Sequence, residues 1–528
     1  MSARGLRLMT LVDVRVGLLL QNARQILNIV RGAFPRLSFS EAETLDDCTL
    51  AMSAGETLSC LWFDAASLVD VPSHIDTAAA LHALTRFSKH AQDVMSSTAS
   101  NYNLSRLGIG IGLAALATVA GTATVSTALL ETQATGLWIS LVFTAYGIMM
   151  FATSYVEEEQ HFWYWASSSW LGWLLLKRRN AATLPGSWEL WFAASLLVLL
   201  RIVRAWNQTG QKHAGEPDIA RTFLPAHNIL LWLLVLVTYL DVIQRLSRRA
   251  LPWASRHLAT AASLALGIAA LGFKVAFTKA DAPELLEGLG YLCVRPFEQA
   301  SLVAQARAIF TGIAIMTVLT SFPAVYQRVR GGRESKDISR PVHDLFTLFF
   351  LTQSRATNVP LFLLFEVQYQ ALDSLRLSGI DLTLTSLLFQ HVSFFAFGGS
   401  NAISSIDLSN AYNGIDGYNV VAVGVLTFCG NWAGPLWWTS ATALLLSRRD
   451  KQHQKWIRHL SLLSTFVSSS LLFVMLACTA LRAHLFIWTV FSPKYLYSIA
   501  WSMGQHLCIN IGYGSLLFWI SSWQIGAQ

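Results

Sequence analysis

The residues best suited to chemistry in this 528-residue chain gather in one polar connector, Gly398 to Tyr418, between two apolar segments. It holds Asn401, Asp407, Asn410, Tyr412, Asn413 and Asp416, with Asn419 just beyond. Amides donate and accept hydrogen bonds, carboxylates attract cations, and a phenol offers an apolar ring with a polar tip. Such a set could hold a polar ligand. The same residue types also build ordinary turns, and a plain loop is the competing reading.

A second group is Glu157, Glu158 and Glu159 beside His161. Carboxylates at an interface attract an amino group; the alternative is a solvated acidic turn. A third group is scattered through apolar runs: Glu366, Gln368, Gln390, His391, Asn431, His506 and Asn510. Ionisable and amide groups are costly in hydrocarbon and so point to a role, although hydrogen bonding between helices also accounts for them. His506 and Asn510 are four apart and share a helix face. With Tyr412 and Trp438 as amphipathic surface, and Asn431 and His391 closing it from below, the connector reads as a headgroup pocket. No zinc-type Cys/His spacing and no phosphate-cradling glycine motif occurs. His74, His82 and His90 are eight apart and drift about 80° per step around a helix, so they form no ligand set.

Around these residues the chain is built for a membrane. Hydrophobic residues make up 53% and charged ones 13%, with 19 Trp, which is far from a soluble domain's balance. Up to Leu107 the chain is mostly polar, and helical spacing of apolar residues predicts amphipathic helices over Val14–Phe34 and Thr77–Met95. The domain division expected is a small helical stalk over 1–106 and a multi-pass membrane domain over 107–528. Arg4, Arg7, Asp13 and Arg15 break any apolar run at the start, so no signal sequence is read there.

Apolar stretches follow at Leu107–Leu130, Leu137–Val156, Phe162–Leu176, Trp188–Val203, Ile229–Ile243 and Leu258–Phe277. Others lie at Ile309–Tyr326, Leu382–Phe397, Val420–Leu446, Leu460–Leu481 and Tyr495–Trp519. Pro360 and a polar run split Val342–Ala371 into two short halves that read as a hairpin. Counting every stretch as a crossing gives an all-α bundle of roughly 11–13 spans. The net charge of +7 sits in short clusters, Lys177–Arg179, Arg245–Arg249, Arg328–Arg340 and Arg448–Arg458. The positive-inside rule places these on the cytosolic side. The connector, Glu157–Glu159, the Asn207 loop and Arg482–Lys494 then share the luminal side with the stalk. Both glycosylation sequons, Asn103-Leu-Ser and Asn207-Gln-Thr, fall there too.

The run SSIDLSNAYNG, followed by YNVVAVGVLTF and NWAGPLWW, resembles the membrane region of the GPI ethanolamine phosphate transferases. SYVEEEQHFWYW at Ser154–Trp165 and RAHLFIWTVFSPKYLYSIAWSMGQHL at Arg482–Leu507 are similar to the same family. Within it the chain looks most like transferase 2, which modifies the second mannose of the glycolipid, with transferase 3 as the alternative. The resemblance implies an endoplasmic reticulum membrane protein. It also implies partners: membrane lipids, a GPI glycolipid intermediate, phosphatidylethanolamine and a small membrane subunit, but no nucleic acid.

In that family the chemistry belongs to a luminal alkaline-phosphatase-like domain with two zinc ions and a Thr nucleophile. The residues before Leu107 hold no Asp/His set with a nearby Thr that matches it. No catalytic or metal-binding residue is therefore carried over, and no cofactor is expected within this chain. The expectation is a substrate-binding membrane region without the catalytic head or the family's first anchor. A transporter or lipid flippase, and a non-catalytic partner subunit, are the competing functions. Cys48 and Cys60 are close enough in sequence to pair in an oxidising lumen, with two free thiols as the alternative. Cys429, Cys478 and Cys508 read as small packing residues.

Overall fold

The computed structural model describes residues 3–33, 53–69, 77–99, 103–131, 133–181, 188–209, 215–287, 301–329, 338–447, 452–482 and 490–521. Among these the regular structure is helical and no strand occurs. The chain divides into two compact units, one formed through Leu107 and the other by nearly all the rest.

The first unit is built from α1 (Ala3–Ala33), α2 (Ala54–Val69) and α3 (Thr77–Ala99). Val16, Ala23, Leu27 and Val30 on α1 and Leu84, Phe87 and Ala91 on α3 are buried in one cluster, as helical periodicity predicts. The sequence reading missed α2. Its start is marked by a capping box: Glu56 N–H donates to Ser53 Oγ at 3.1 Å, and Ser53 N–H donates to Glu56 Oε2 at 2.9 Å. Cys60 on α2 is disulfide-bonded, which overturns the two-free-thiols alternative; Cys48 lies outside the described residues. His82 is exposed and His90 half-buried.

The second unit contains α4 (Leu104–Glu131), α5 (Gln133–Met149), α6 (Glu159–Ala181), α7 (Trp188–Arg204), α8 (Asn228–Arg249), α9 (Arg256–Asp281) and α10 (Leu302–Val329). It continues with α11 (Ser339–Thr352), α12 (Pro360–Leu375), α13 (Gly379–Ala396), α14 (Val420–Asn431) and α15 (Ala433–Ser447). It closes with α16 (Gln452–Ala480), α17 (Ser492–Ile499), a π-helical stretch Ala500–Tyr513, and α18 (Gly514–Ser521).

Five described helices are long and apolar enough to cross a bilayer: α4, α8, α9, α10 and α16. The pair α14 and α15, bent by 72°, makes a sixth if it counts as one broken span. Several of the other apolar stretches are shorter or lie inside the protein, whereas Tyr495–Trp519 is helical throughout and exposes Leu496, Met503, Leu507 and Leu516. Every residue of α15 is buried, and so is α13 from Asp381 to Ala396. Small residues let these two helices approach closely: a Cβ at Gly434 would lie 2.6 Å from Ser393 Cβ. The split at 342–371 is present. α11 and α12 are joined through a short turn at Ala356–Asn358, and Pro360 occupies the first turn of α12.

Candidate functional site

The connector leaves α13 through Gly398, whose φ of +95° lies where glycine is favoured. It enters α14 at Asn419, whose side chain accepts from Ala422 N–H at 3.0 Å. Between these ends it is fastened by its own polar residues. Asn431 Oδ1 accepts Asp407 N–H and Asn431 Nδ2 donates to Asp407 C=O, both at 2.9 Å. The Asp407 carboxylate takes Arg355 Nε at 2.8 Å and Nη2 at 3.0 Å, a two-pronged pair. Arg307 Nε donates to Gly414 C=O at 2.7 Å.

Asn413 Nδ2 donates to Asn410 Oδ1 at 3.1 Å and to Thr352 C=O at 3.4 Å. Lys274, fully buried on α9, donates to the same Thr352 carbonyl at 3.2 Å and to Ser354 C=O. The carbonyls at the end of α11 lack helical partners, and a cation there also suits the helix dipole.

The acidic run is not a solvated turn. Glu158 is 7% exposed and Glu159 2%. Glu159 Oε1 accepts from Tyr146 Oη and Trp163 Nε1, each at 3.0 Å. Its Oε2 accepts from Asn401 Nδ2 at 2.7 Å and from Lys494 Nζ. Burial alone would raise this carboxyl. The Lys494 ammonium and the hydrogen bonds outweigh that and hold it below its usual value. The expectation of a cation site is thus corrected in its occupant: Glu159 already holds a lysine of this chain. Glu158 faces His161 across 3.7 Å, and Glu157 is half-buried.

Asn207 belongs to the same end of the bundle. Its Nδ2 donates to Asn358 Oδ1 at 3.1 Å and to Ala396 C=O, and the residue is 4% exposed. Although Asn207 heads a glycosylation sequon, its amide is engaged inside the protein. The connector, the acidic run, the Asn207 loop and Lys494 do come together, as the charge-based map requires. Arg330, on the other side of that map, lies outside the described residues.

Several sequence candidates turn out to hold helices together. His391 stacks between Trp163 and Trp501, with ring centroids 3.9 and 4.3 Å away, and its Nδ1 meets Leu387 C=O at 2.9 Å. Trp438, expected at the surface, is 1% exposed and packs on Phe365 and Phe389. His506 bonds Ser464 on α16 at 2.8 Å, whereas Asn510 accepts from Thr439 on α15 at 2.8 Å. These two residues therefore serve different helices rather than one pocket. Gln505, which the sequence reading passed over, links Gln390 and Thr439 at 3.1 and 2.9 Å. Glu366 accepts from Arg340 Nη2 and lies 3.3 Å from Arg245 Nη1, inside a buried ionic cluster with Asp344.

Asp407, Asn410, Asn413 and Asn431 thus position the connector. Facing outward are Tyr412, 50% exposed, Tyr418, 78% exposed, and Asp416, which makes no ion pair among the described residues, together with the apolar Ile403 and Leu408. Beside them runs α14, an apolar helix with no buried residue. A polar rim bearing one carboxylate and two phenols thus adjoins an exposed apolar helix. Among the described residues no three His, Cys, Asp or Glu side chains converge where a metal could bind.

Comparison with known proteins places the chain in a family. A family model described as the GPI ethanolamine phosphate transferase membrane region matches residues 99–523. A protein of Aspergillus oryzae named GPI ethanolamine phosphate transferase 2 is 38% identical, over 94% of this chain and 56% of its own length. The Aspergillus fumigatus protein of that name is 39% identical, over 97% of this chain and 54% of its own. The Yarrowia lipolytica one is 32% identical, over 80% and 54%. The chain therefore spans about half the length of the curated relatives it matches. No solved structure matches. With its helical bundle and the family match covering most of its length, the chain belongs to the GPI ethanolamine phosphate transferase membrane-region family.

Proposed function

We propose that this chain is the substrate-holding membrane body of an enzyme that moves phosphoethanolamine from phosphatidylethanolamine to the second mannose of the GPI glycolipid. In this reading it lies in the endoplasmic reticulum membrane with the connector toward the lumen. What carries the proposal is the similarity to relatives named transferase 2 along nearly the whole chain. The catalytic head and its zinc ions, where the family's chemistry resides, are then supplied by sequence outside these 528 residues.

The rim beside α14 supports the acceptor as occupant. A GPI intermediate has hydroxyls, phosphate and an amine next to acyl chains. Asp416 can take the amine, Tyr412 and Tyr418 can cover sugar faces, and α14 can lie against the lipid. The same 72° bend between α14 and α15 also favours a transporter, because broken helices line transport sites. A transporter moves labelled lipid across vesicles without any phosphoethanolamine donor; the transferase body does not.

In a full-length transferase carrying this region, Asp416→Ala should raise the KM for the GPI acceptor roughly tenfold, the loss of one charge-assisted hydrogen bond. Melting temperature should not move, since Asp416 is exposed and unpaired among the described residues. Unchanged acceptor kinetics at limiting GPI would remove Asp416 from the site.

A further inference from the structure

A cavity of about 590 Å³ opens at the turn between α8 and α9. It is far from the connector. Arg256, on its wall, is at the start of α9, and Lys274, at the connector end, lies about 27 Å along the same helix at 1.5 Å per residue. The wall carries Arg248, Arg249, Arg256 and Arg340 and no carboxylate.

Three features set this cavity apart from a solvated basic surface. Arg340 is 3% exposed, yet its Nε and Nη1 have no hydrogen-bond partner. Its other contacts, Asp344 at 3.7 Å from Nε, Glu366 on Nη2 and the Tyr369 ring 4.4 Å from Cζ, leave Nη1 without an acceptor. Arg256 stands in the first turn of α9, where a cation opposes the helix dipole and no acidic residue offsets it. Neither Arg248 nor Arg256 makes an ion pair among the described residues, and Arg249 only reaches Asp344 at 4.0 Å. Finally, the turn passes through Leu251 at φ +48°, a left-handed conformation that a leucine adopts at an energetic cost. That turn brings Arg248 and Arg249 from one helix and Arg256 from the next onto one cavity.

Guanidinium groups match phosphate oxygens in two-pronged geometry, and a buried guanidinium with unused N–H donors gains from such a ligand. Basic pockets between membrane helices also attract anionic headgroups. We propose that this cavity binds a phosphate monoester, carried on a lipid headgroup or free in solution. The site is separate from the connector rim and does not depend on the acceptor reading.

The test uses the purified full chain in detergent, with dioctanoyl phosphatidic acid, dioctanoyl phosphatidylcholine and inorganic phosphate as probes, read by native mass spectrometry and thermal shift. The variant is Arg248→Gln with Arg256→Gln. Both residues are exposed and make no ion pair among the described residues, and Arg256 opposes the α9 dipole, so its melting temperature without probe should not fall below the wild type's. Binding of phosphatidic acid over phosphatidylcholine should weaken roughly 30-fold in the variant, from about 1 kcal/mol per arginine; that outcome places the phosphate on a lipid. Inorganic phosphate binding as well as phosphatidic acid, with the same loss in the variant, establishes the site and makes free phosphate its source. Equal retention of phosphatidic acid and phosphatidylcholine overturns the proposal. So does a variant that binds like the wild type, or no binding of either phosphate probe.

Discussion

Replacing Lys494 by Met should destabilise the chain by about 3–5 kcal/mol, because it strands a charged carboxylate in the interior. Glu159 and Lys494 are 2% and 3% exposed, and Glu159 holds Tyr146, Trp163 and Asn401 as well. Without the ammonium the carboxyl must stay charged with only hydrogen-bond donors, or take up a proton. The loss should appear as early aggregation in a size-exclusion thermal series. The double variant Glu159→Gln with Lys494→Met should recover much of it, since a neutral pair carries no stranded charge. A single variant that melts like the wild type would show that the pair does not hold this end together.

An equally large loss, about 3–5 kcal/mol, is expected for Glu366→Leu. Glu366 takes Arg340 Nη2 and Gln370 Nε2 on one oxygen and faces Arg245 Nη1 at 3.3 Å with the other. Removing it leaves Arg340, with 4% of its side chain exposed, short of its closest carboxylate. The comparison is Asp241→Asn. Asp241 is 30% exposed and also bonds Arg245, and a partly solvated pair of this kind contributes only about 0–1 kcal/mol. If both variants melt alike, the cluster is not the anchor its burial implies.

The sequence disclosed some features of this protein and hid others, for physical reasons. Periodicity located α1 and α3, and apolar length located the long helices α4, α8, α9, α10 and α16. Apolar composition does not distinguish burial in lipid from burial in protein. That is why α13 and α15, wholly or almost wholly buried, carry the same signal as helices that face outward. The polar connector was legible as the place to look. Which of its side chains face a ligand was not, because Asp407, Asn413 and Asn401 are engaged by Arg355, Thr352 and Glu159, residues distant in sequence. The Glu159–Lys494 pair joins residues 335 positions apart, and no local pattern announces such a pair. α2 could have been found from Ser53 and Glu56 alone.

The central claim is that the connector rim holds the GPI acceptor. Its most direct test places a photo-crosslinking amino acid at Tyr412 in a full-length transferase carrying this region. The same substitution at Trp253, exposed in the turn between α8 and α9, serves as the comparison. With labelled GPI acceptor in microsomes, illumination should give an adduct at position 412 that unlabelled acceptor competes away, and none at 253. An adduct at 253 and none at 412, in membranes where transfer proceeds, would contradict the account.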